Sequence, residues 1–136
     1  MARILVIDDQ DDVRQVVHAL LAPRYQIWEA SSGAEGIRIF RQNAVDLVLC
    51  DLFMPGKDGL ETVRELRRQS AGAKIVALGG GSFCGRIDLL GIVQLLGADL
   101  VLLKPFDRET LLAVVEKALG ESAVERQVRE PIEAAD

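Results

Sequence analysis

The stretch Asp46-Leu47-Val48-Leu49-Cys50-Asp51 decides the expected fold, because four apolar residues lead directly to a carboxylate. Two further stretches also place four apolar residues before charged ones: Ile4-Leu5-Val6-Ile7 precedes Asp8-Asp9, and Leu100-Val101-Leu102-Leu103 precedes Lys104-Pro105. A short apolar run bounded by polar residues is typical of a strand buried on both faces of a parallel sheet. Ligand sites of open α/β sheets lie just beyond the carboxyl ends of the strands. The sequence therefore predicts that three carboxylates and one ammonium group meet in a single crevice.

Strand-like apolar runs alternate five times with segments of helical periodicity. The predicted strands cover residues 3–7, 25–30, 45–50, 74–78 and 100–103, and the predicted helices cover 11–22, 34–41, 60–69, 86–96 and 107–119. In the first helix the apolar residues recur at helical spacing; they are Val13, Val16, Val17, Leu20 and Leu21. This (βα)₅ alternation predicts an α/β fold with a doubly wound, five-stranded parallel sheet and right-handed crossovers.

Length and composition predict one soluble domain with a short remainder. The chain has 136 residues, of which 49% are hydrophobic and 27% charged, as in ordinary globular proteins. We expect the domain to cover residues 1–119, and the polar tail 120–136 to be flexible or to form a short helix. The net charge of −5 argues against direct binding of nucleic acid or of an anionic membrane.

No targeting or metal-binding pattern is visible elsewhere in the sequence. The two cysteines, Cys50 and Cys84, have neither the spacing of metal ligands nor that of a disulfide framework. Because no signal peptide and no apolar stretch of transmembrane length is visible, we expect a cytoplasmic protein.

The predicted helix over residues 86–96 carries very little charge, and its apolar residues cannot all face one side of a single helix. Some apolar surface should therefore remain uncovered. A protein partner, a homodimer contact, cover by the tail or an unusually deep core would each account for it.

The predicted crevice has the chemistry of a phosphoryl-transfer site. Three ionised carboxylates repel one another at short range, and a bound cation relieves that repulsion. Oxygen ligands without histidine or cysteine select a hard ion, and Mg²⁺ typically takes one or two carboxylates together with waters and a phosphate. A lysine in the same crevice supplies a positive charge for phosphoryl oxygens. A carboxylate nucleophile, Mg²⁺ and lysine together favour phosphoryl transfer.

Three motifs in this order resemble the receiver domain of two-component response regulators, in particular the stand-alone, chemotaxis-regulator type. They are Val6-Ile7-Asp8-Asp9, Asp51-Leu52-Phe53-Met54-Pro55-Gly56 within the longer stretch 46–59, and Gly97-Ala98-Asp99 followed by Lys104-Pro105-Phe106. The resemblance covers about residues 2–119 and implies a flavodoxin-like receiver fold.

The resemblance also implies roles for individual residues. Asp51 would accept a phosphoryl group from a phosphohistidine on a sensor histidine kinase or a histidine phosphotransfer protein. Asp8, Asp9, Asp51 and the backbone carbonyl of Phe53 would hold Mg²⁺. Lys104 would pair with the acceptor aspartate and then with the phosphoryl group, and a cis peptide bond would precede Pro105. Such a protein promotes only its own phosphorylation and dephosphorylation and is not otherwise an enzyme.

The residues that usually form the conformational switch of the family are missing. The position of the usual serine or threonine after strand four is Gly79, and the usual aromatic residue three before the lysine is Val101. Ser82 could reach back across the loop, or the backbone amides of glycines such as Gly79 and Gly80 could form an anion-binding nest. We therefore expect intact phosphoacceptor chemistry with an atypical switch that alters protein–protein interaction.

Two other functions are compatible with parts of this pattern. A pseudo-receiver that docks partners independently of phosphate would explain Gly79 and Val101, but the complete acidic cluster opposes it. A haloacid-dehalogenase-like phosphatase also uses aspartate and Mg²⁺, but it places Asp-x-Asp after the first strand, whereas Asp8 and Asp9 are adjacent here.

Overall fold

Strands and helices alternate along the chain in a computed structural model that describes residues 1–54, 59–80 and 97–120. The elements are β1 (Arg3–Ile7), α1 (Asp11–Leu21), β2 (Gln26–Ala30), α2 (Gly33–Gln42), β3 (Leu47–Asp51), α3 (Gly59–Gln69), β4 (Lys74–Gly80), β5 (Leu100–Lys104) and α4 (Arg108–Ala118). The helix predicted over residues 86–96 and the predicted tail beyond residue 120 lie outside the described residues.

All five strands are parallel and form one sheet in the order β2-β1-β3-β4-β5. This is the flavodoxin-like order, in which the chain reverses its direction of winding between β1 and β3. The predicted doubly wound, five-stranded parallel sheet is confirmed. A crevice is expected where the winding reverses, and both Asp8 and Asp51 lie at that point.

The central strands are buried because helices cover both faces of the sheet. On one face Ile37 of α2 and Val63 and Leu66 of α3 pack against side chains such as Val48. On the other face Val17 of α1 and Val115 of α4 pack in a cluster that includes Leu47, Leu49 and Leu111. The continuous apolar runs of β1 and β3 thus reflect two-sided burial rather than helical periodicity.

Several element boundaries differ from the prediction for local reasons. β4 continues to Gly80 because Gly79 and Gly80 pair in register with Leu103 and Lys104. The last helix begins one residue later than predicted, since the side chain of Asp107 caps it by accepting a hydrogen bond from the Thr110 amide at 2.8 Å. Val16 shares the helical spacing of the apolar residues of α1, but its side chain is 54% exposed.

Within the described part of the chain, no helix combines the length and the apolar character needed to cross a membrane.

Candidate functional site

Two neighbouring strand ends bring the predicted acidic residues together. Asp8 follows β1 directly and Asp51 is the last residue of β3. Carboxylate oxygens of Asp8, Asp9 and Asp51 all lie within 4.8 Å of one another. Asp8 is fully buried and Asp51 is only 5% exposed, whereas Asp9 is open to solvent. The cluster therefore has a buried floor made by two carboxylates and an accessible rim made by the third.

Lys104, the last residue of β5, connects the two buried carboxylates. Its Nζ atom lies 2.7 Å from Oδ2 of Asp8 and 3.2 Å from Oδ2 of Asp51. The same ammonium group also donates to Oε1 of Gln10 at 3.3 Å. Gln10 was not singled out from the sequence, because only the fold shows that a side chain next to the acidic pair turns towards β5.

The hydrogen bonds of Asp8 explain how its carboxylate is tolerated in the interior. Oδ1 accepts from the backbone amide of Gln10 at 2.9 Å, Oδ2 accepts from Lys104, and the amide of Asp8 donates to the carbonyl of Ala30 at 3.0 Å. A buried charge that lacked such partners would carry a large desolvation cost. Asp8 is thus held in one orientation at the floor of the site.

Burial and the neighbouring charges shift two pKa values. Burial, together with the negative charge of Asp51, raises the pKa of Asp8 above its ordinary value, although Lys104 and the amide of Gln10 act in the opposite direction. Burial alone would lower the pKa of Lys104, but the hydrogen bond and charge of Asp8 and the charge of Asp51 raise it. Lys104 is therefore an ammonium group at neutral pH, and the carboxylates still repel one another.

The raised pKa of Asp8, caused mainly by burial, leads to a prediction for Asp8→Asn. Because the pKa of Asp8 is raised above its ordinary value of 3.8, the native protein keeps the proton of Asp8 at pH values at which the unfolded chain has begun to lose it. The contribution of Asp8 to the free energy of unfolding therefore falls as pH rises through the raised pKa. The variant lacks this loss, so its stability relative to the wild type should improve as pH rises from about 4 towards neutrality. Urea unfolding without divalent cations measures this difference, and a relative gain by the wild type over the same range would contradict it.

The residues around the cluster suit a hard divalent cation. A cavity of about 240 Å³ is lined by Asp9, Gln10, Asp51, Phe53 and Lys104. The acidic side chains of the cluster offer carboxylate oxygens, which are ligands that Mg²⁺ prefers. The cavity is also open enough for the waters that a bound Mg²⁺ usually retains. The amide of Phe53 donates to Oδ1 of Asp51 at 3.0 Å, which fixes the carboxylate at the edge of this cavity.

The residues predicted to form the atypical switch lie on the two strands beside the site. Gly79 pairs with Leu103 and Gly80 pairs with Lys104. Val101 pairs with Ala77 and packs against the apolar cluster that includes α2 and α3. Ser82 lies outside the described residues. The peptide bond between Lys104 and Pro105 is cis.

Comparison with known proteins agrees with this geometry. A family model for the "Response regulator receiver domain" matches residues 4–116. The chain belongs to this family. Receiver domains act in two-component signalling; phosphoryl transfer and dependence on Mg²⁺ are general properties of the family, and its members interact with sensor histidine kinases.

Individual relatives show how far the similarity of this receiver domain extends. The chemotaxis protein CheY of Halobacterium salinarum is 27% identical over 118 residues, which cover 86% of this chain and 96% of that protein. The structure of the Vibrio cholerae chemotaxis protein CheY4 matches with a TM-score of 0.81 and 30% identity, covering 88% of this chain and 99% of that one. The flavodoxin-like receiver fold is therefore confirmed.

Other relatives are longer than this receiver domain. The probable transcriptional regulator ycf27 of Porphyra purpurea is 36% identical over 118 residues, or 86% of this chain, but only 47% of that protein is covered. The same protein of Pyropia yezoensis is 35% identical with the same coverage. The chain thus spans about half the length of these curated relatives.

Proposed function

We propose that Asp51 accepts a phosphoryl group from a phosphohistidine on a sensor histidine kinase or a histidine phosphotransfer protein. Asp8, Asp9, Asp51 and the backbone carbonyl of Phe53 are the proposed ligands of Mg²⁺. The observation that carries the proposal is the position of Lys104, whose single ammonium group touches both buried carboxylates of an oxygen-only cluster. Such an arrangement suits charge neutralisation around a transferred phosphoryl group.

Both carboxylate oxygens of Asp51 have a partner that orients the group for the proposed step. Oδ1 is held by the amide of Phe53, and Oδ2 is paired with Lys104. In the proposed step one carboxylate oxygen attacks phosphorus, an O–P bond forms, and the P–N bond to the donor imidazole breaks with its electron pair returning to nitrogen. Lys104 then pairs with an oxygen of the phosphoryl group. When bound, Mg²⁺ supplies further positive charge to the phosphoryl oxygens.

Intact-protein mass spectrometry after incubation with acetyl phosphate tests this proposal. One phosphoryl adduct is expected with Mg²⁺, and none is expected with a chelator or with Asp51→Asn. An adduct of equal yield on Asp51→Asn would contradict the assignment of the acceptor. A wild-type protein that binds Mg²⁺ but forms no adduct, even with a phosphohistidine donor, would instead favour the pseudo-receiver function.

A groove next to the acidic site suggests where the protein donor docks. The groove has a volume of about 410 Å³ and is lined by Gln10, Asp12, Val13, Val16, Lys104, Pro105 and Phe106. It shares Gln10 and Lys104 with the cavity over Asp51. A donor whose phosphohistidine reaches Asp51 would therefore cover the groove, which gives the exposed Val16 a role.

A charge at position 16 should separate docking from chemistry. Val16→Glu is expected to slow phosphoryl transfer from a phosphohistidine protein by about tenfold or more, because a carboxylate would lose its water in the apolar contact. Phosphorylation by acetyl phosphate should not change, since the cavity over Asp51 is untouched. Gln15→Glu on the exposed part of α1 adds the same charge outside the groove and is the matched control. Equal transfer rates for the two variants would contradict this docking site.

The proposed output is an altered protein–protein contact with an atypical switch. Gly79 has no hydroxyl group that could bind the phosphoryl oxygen, and Val101 is an aliphatic residue packed against the core. The usual hydroxyl and aromatic pair therefore cannot couple phosphorylation to the surface in the ordinary way. The homodimer contact through residues 86–96 stays a prediction, because this segment lies outside the described residues.

A further inference from the structure

Arg14 is a largely buried arginine that points from α1 back to the acidic pair. Its side chain is 14% exposed, and one terminal nitrogen donates to the backbone carbonyl of Asp8 at 2.6 Å. The family resemblance assigned no role to this residue. A guanidinium group removed from water usually has a specific partner, and here that partner is the main chain of the proposed metal site.

Carboxylates on two elements hold the guanidinium group of Arg14 in place. Nε lies 3.4 Å from Oε1 of Glu29 on β2, and the second terminal nitrogen pairs with Oδ1 of Asp11. The other oxygen of Glu29 lies 2.7 Å from Nδ1 of His18, which restricts Glu29 in turn. Because the guanidinium group is planar, contacts along its edges fix the direction in which the remaining N–H group points.

The carbonyl of Asp8 belongs to the peptide unit that joins Asp8 to Asp9. A peptide unit is planar, so a hydrogen bond to its oxygen also fixes the direction in which the chain enters Asp9. Asp8 has other restraints, since both of its carboxylate oxygens and its amide are hydrogen-bonded. Asp9 is exposed, and within residues 1–54, 59–80 and 97–120 its carboxylate receives no hydrogen bond. The hydrogen bond from Arg14 is therefore a restraint on the backbone that enters the least restrained residue of the cluster.

We propose that Arg14 is a positioning residue for the Mg²⁺ site, acting on Asp9 through the Asp8–Asp9 peptide unit. This inference rests on the proposed function, because it assumes that the acidic cluster binds a divalent cation. Groups that orient metal ligands without touching the metal commonly change metal affinity by roughly 10- to 100-fold when they are replaced. The effect is expected on the binding of Mg²⁺, not on the chemistry of Asp51.

Titration calorimetry with Mg²⁺ alone tests the inference without any phosphodonor. Arg14→Met should raise the dissociation constant of Mg²⁺ by roughly 10- to 100-fold. Arg14→Lys should have an intermediate effect, because an ammonium group can reach the carbonyl but cannot hold Glu29 and Asp11 in the same plane. Arg24→Met is the matched control, since Arg24 pairs with Glu116 at 3.2 Å beyond the other end of α1.

Phosphorylation by acetyl phosphate provides a second measurement, whose expected result a purely structural role of Arg14 would not produce. The Mg²⁺ concentration for half-maximal adduct formation should rise in Arg14→Met, while the rate at saturating Mg²⁺ should remain near that of the wild type. An unchanged dissociation constant in a folded Arg14 variant would overturn the positioning role alone. If Arg14→Met does not fold, Arg14→Lys decides the question in the same way. Failure of the wild type to bind Mg²⁺ would overturn the metal site and this inference together.

Discussion

Replacing Gly59 with alanine is expected to destabilise the protein by about 3 kcal/mol or more. A Cβ atom at this position would lie 1.9 Å from the carbonyl oxygen of Asp51 and 2.3 Å from Cα of Leu52. These neighbours are backbone atoms of the last residue of β3 and of the residue after it, so no side-chain rotation can make room. Gly59 is buried at the start of α3, and its amide donates to the carbonyl of Leu52 at 3.2 Å. The first turn of α3 and the backbone of Asp51 and Leu52 are thus in direct contact.

Two other glycines provide controls for this prediction. A Cβ atom at Gly36 would lie 2.3 Å from Cδ1 of Ile7, which is the end of a side chain and can move, so Gly36→Ala should cost less. Nothing lies within 4 Å of a Cβ atom at Gly72, and Gly72→Ala should be neutral or slightly stabilising. Urea unfolding should rank the losses in the order Gly59, Gly36, Gly72. A Gly59→Ala protein as stable as Gly72→Ala would show that the backbone around Gly59 has room for a Cβ atom, and would contradict this prediction. If Gly59→Ala remains folded, its displaced Asp51 should also slow phosphorylation.

Replacing Arg67 with methionine is expected to lower the free energy of unfolding by about 3 kcal/mol. The Arg67 side chain donates hydrogen bonds to the carbonyls of Ala71 and Ala73 at 2.8 Å and 2.7 Å. It also donates to the carbonyl of Gly97 at 2.8 Å and to the carboxylate of Asp99 at 2.9 Å. The same Asp99 oxygen accepts from the amide of Ile75 at 2.8 Å. One side chain therefore joins α3, the turn after it and the segment that enters β5. Methionine keeps much of the volume but leaves several carbonyls without a donor.

The neighbouring Arg68 is the natural control for Arg67. Its side chain is 71% exposed and pairs with Glu65 at 3.1 Å on the same helix. Exposed ion pairs of this type contribute less than about 1 kcal/mol, so Arg68→Met should have a small effect. Both variants remove one positive charge from adjacent positions, which separates the hydrogen-bond network from net charge. Equal losses in urea unfolding would show that the network around Arg67 contributes no more than a surface ion pair.

The architecture was predictable because local composition and two-sided burial agree in this chain. Runs such as Leu47-Val48-Leu49-Cys50 are too short for an amphipathic helix, and every residue of β3 is in fact buried. The convergence of Asp8, Asp51 and Lys104 followed from the rule that parallel strands end on the same edge. Their places in the sequence were therefore sufficient to predict that they meet.

Other features depended on contacts between residues far apart in the sequence. Val16 fits the apolar periodicity of α1, yet it is exposed because it borders a groove instead of the sheet. The contact between Arg14 and Glu29 joins α1 to β2, and periodicity carries no information about such a polar pair. The role of Gly59 follows from the close approach of two backbones, whereas the sequence shows only a glycine in a loop. These residues needed the fold before their roles could be assigned.

The acidic cluster also has a cost for the fold. Burial and the charge of Asp51 raise the pKa of Asp8, which means that the ionised cluster is unfavourable when no cation relieves it. Because a cation that binds only the native state stabilises it, Mg²⁺ should recover part of this cost. Substitutions that remove a negative charge from the acidic cluster are therefore expected to improve stability and to impair metal binding, as commonly occurs at functional sites.

In the proposed function, Asp51 itself carries the phosphoryl group. The most direct test incubates the protein with acetyl phosphate and Mg²⁺, reduces the acyl phosphate with borohydride, and locates the modified residue by peptide mass spectrometry. Reduction converts a phosphorylated aspartate into homoserine, so the position of homoserine identifies the acceptor. We predict homoserine at position 51 in the sample with Mg²⁺ and unmodified Asp51 in the sample with chelator. Homoserine at another aspartate would contradict this assignment of the acceptor, and so would unmodified Asp51 in a protein that binds Mg²⁺ and has also been incubated with a phosphohistidine donor.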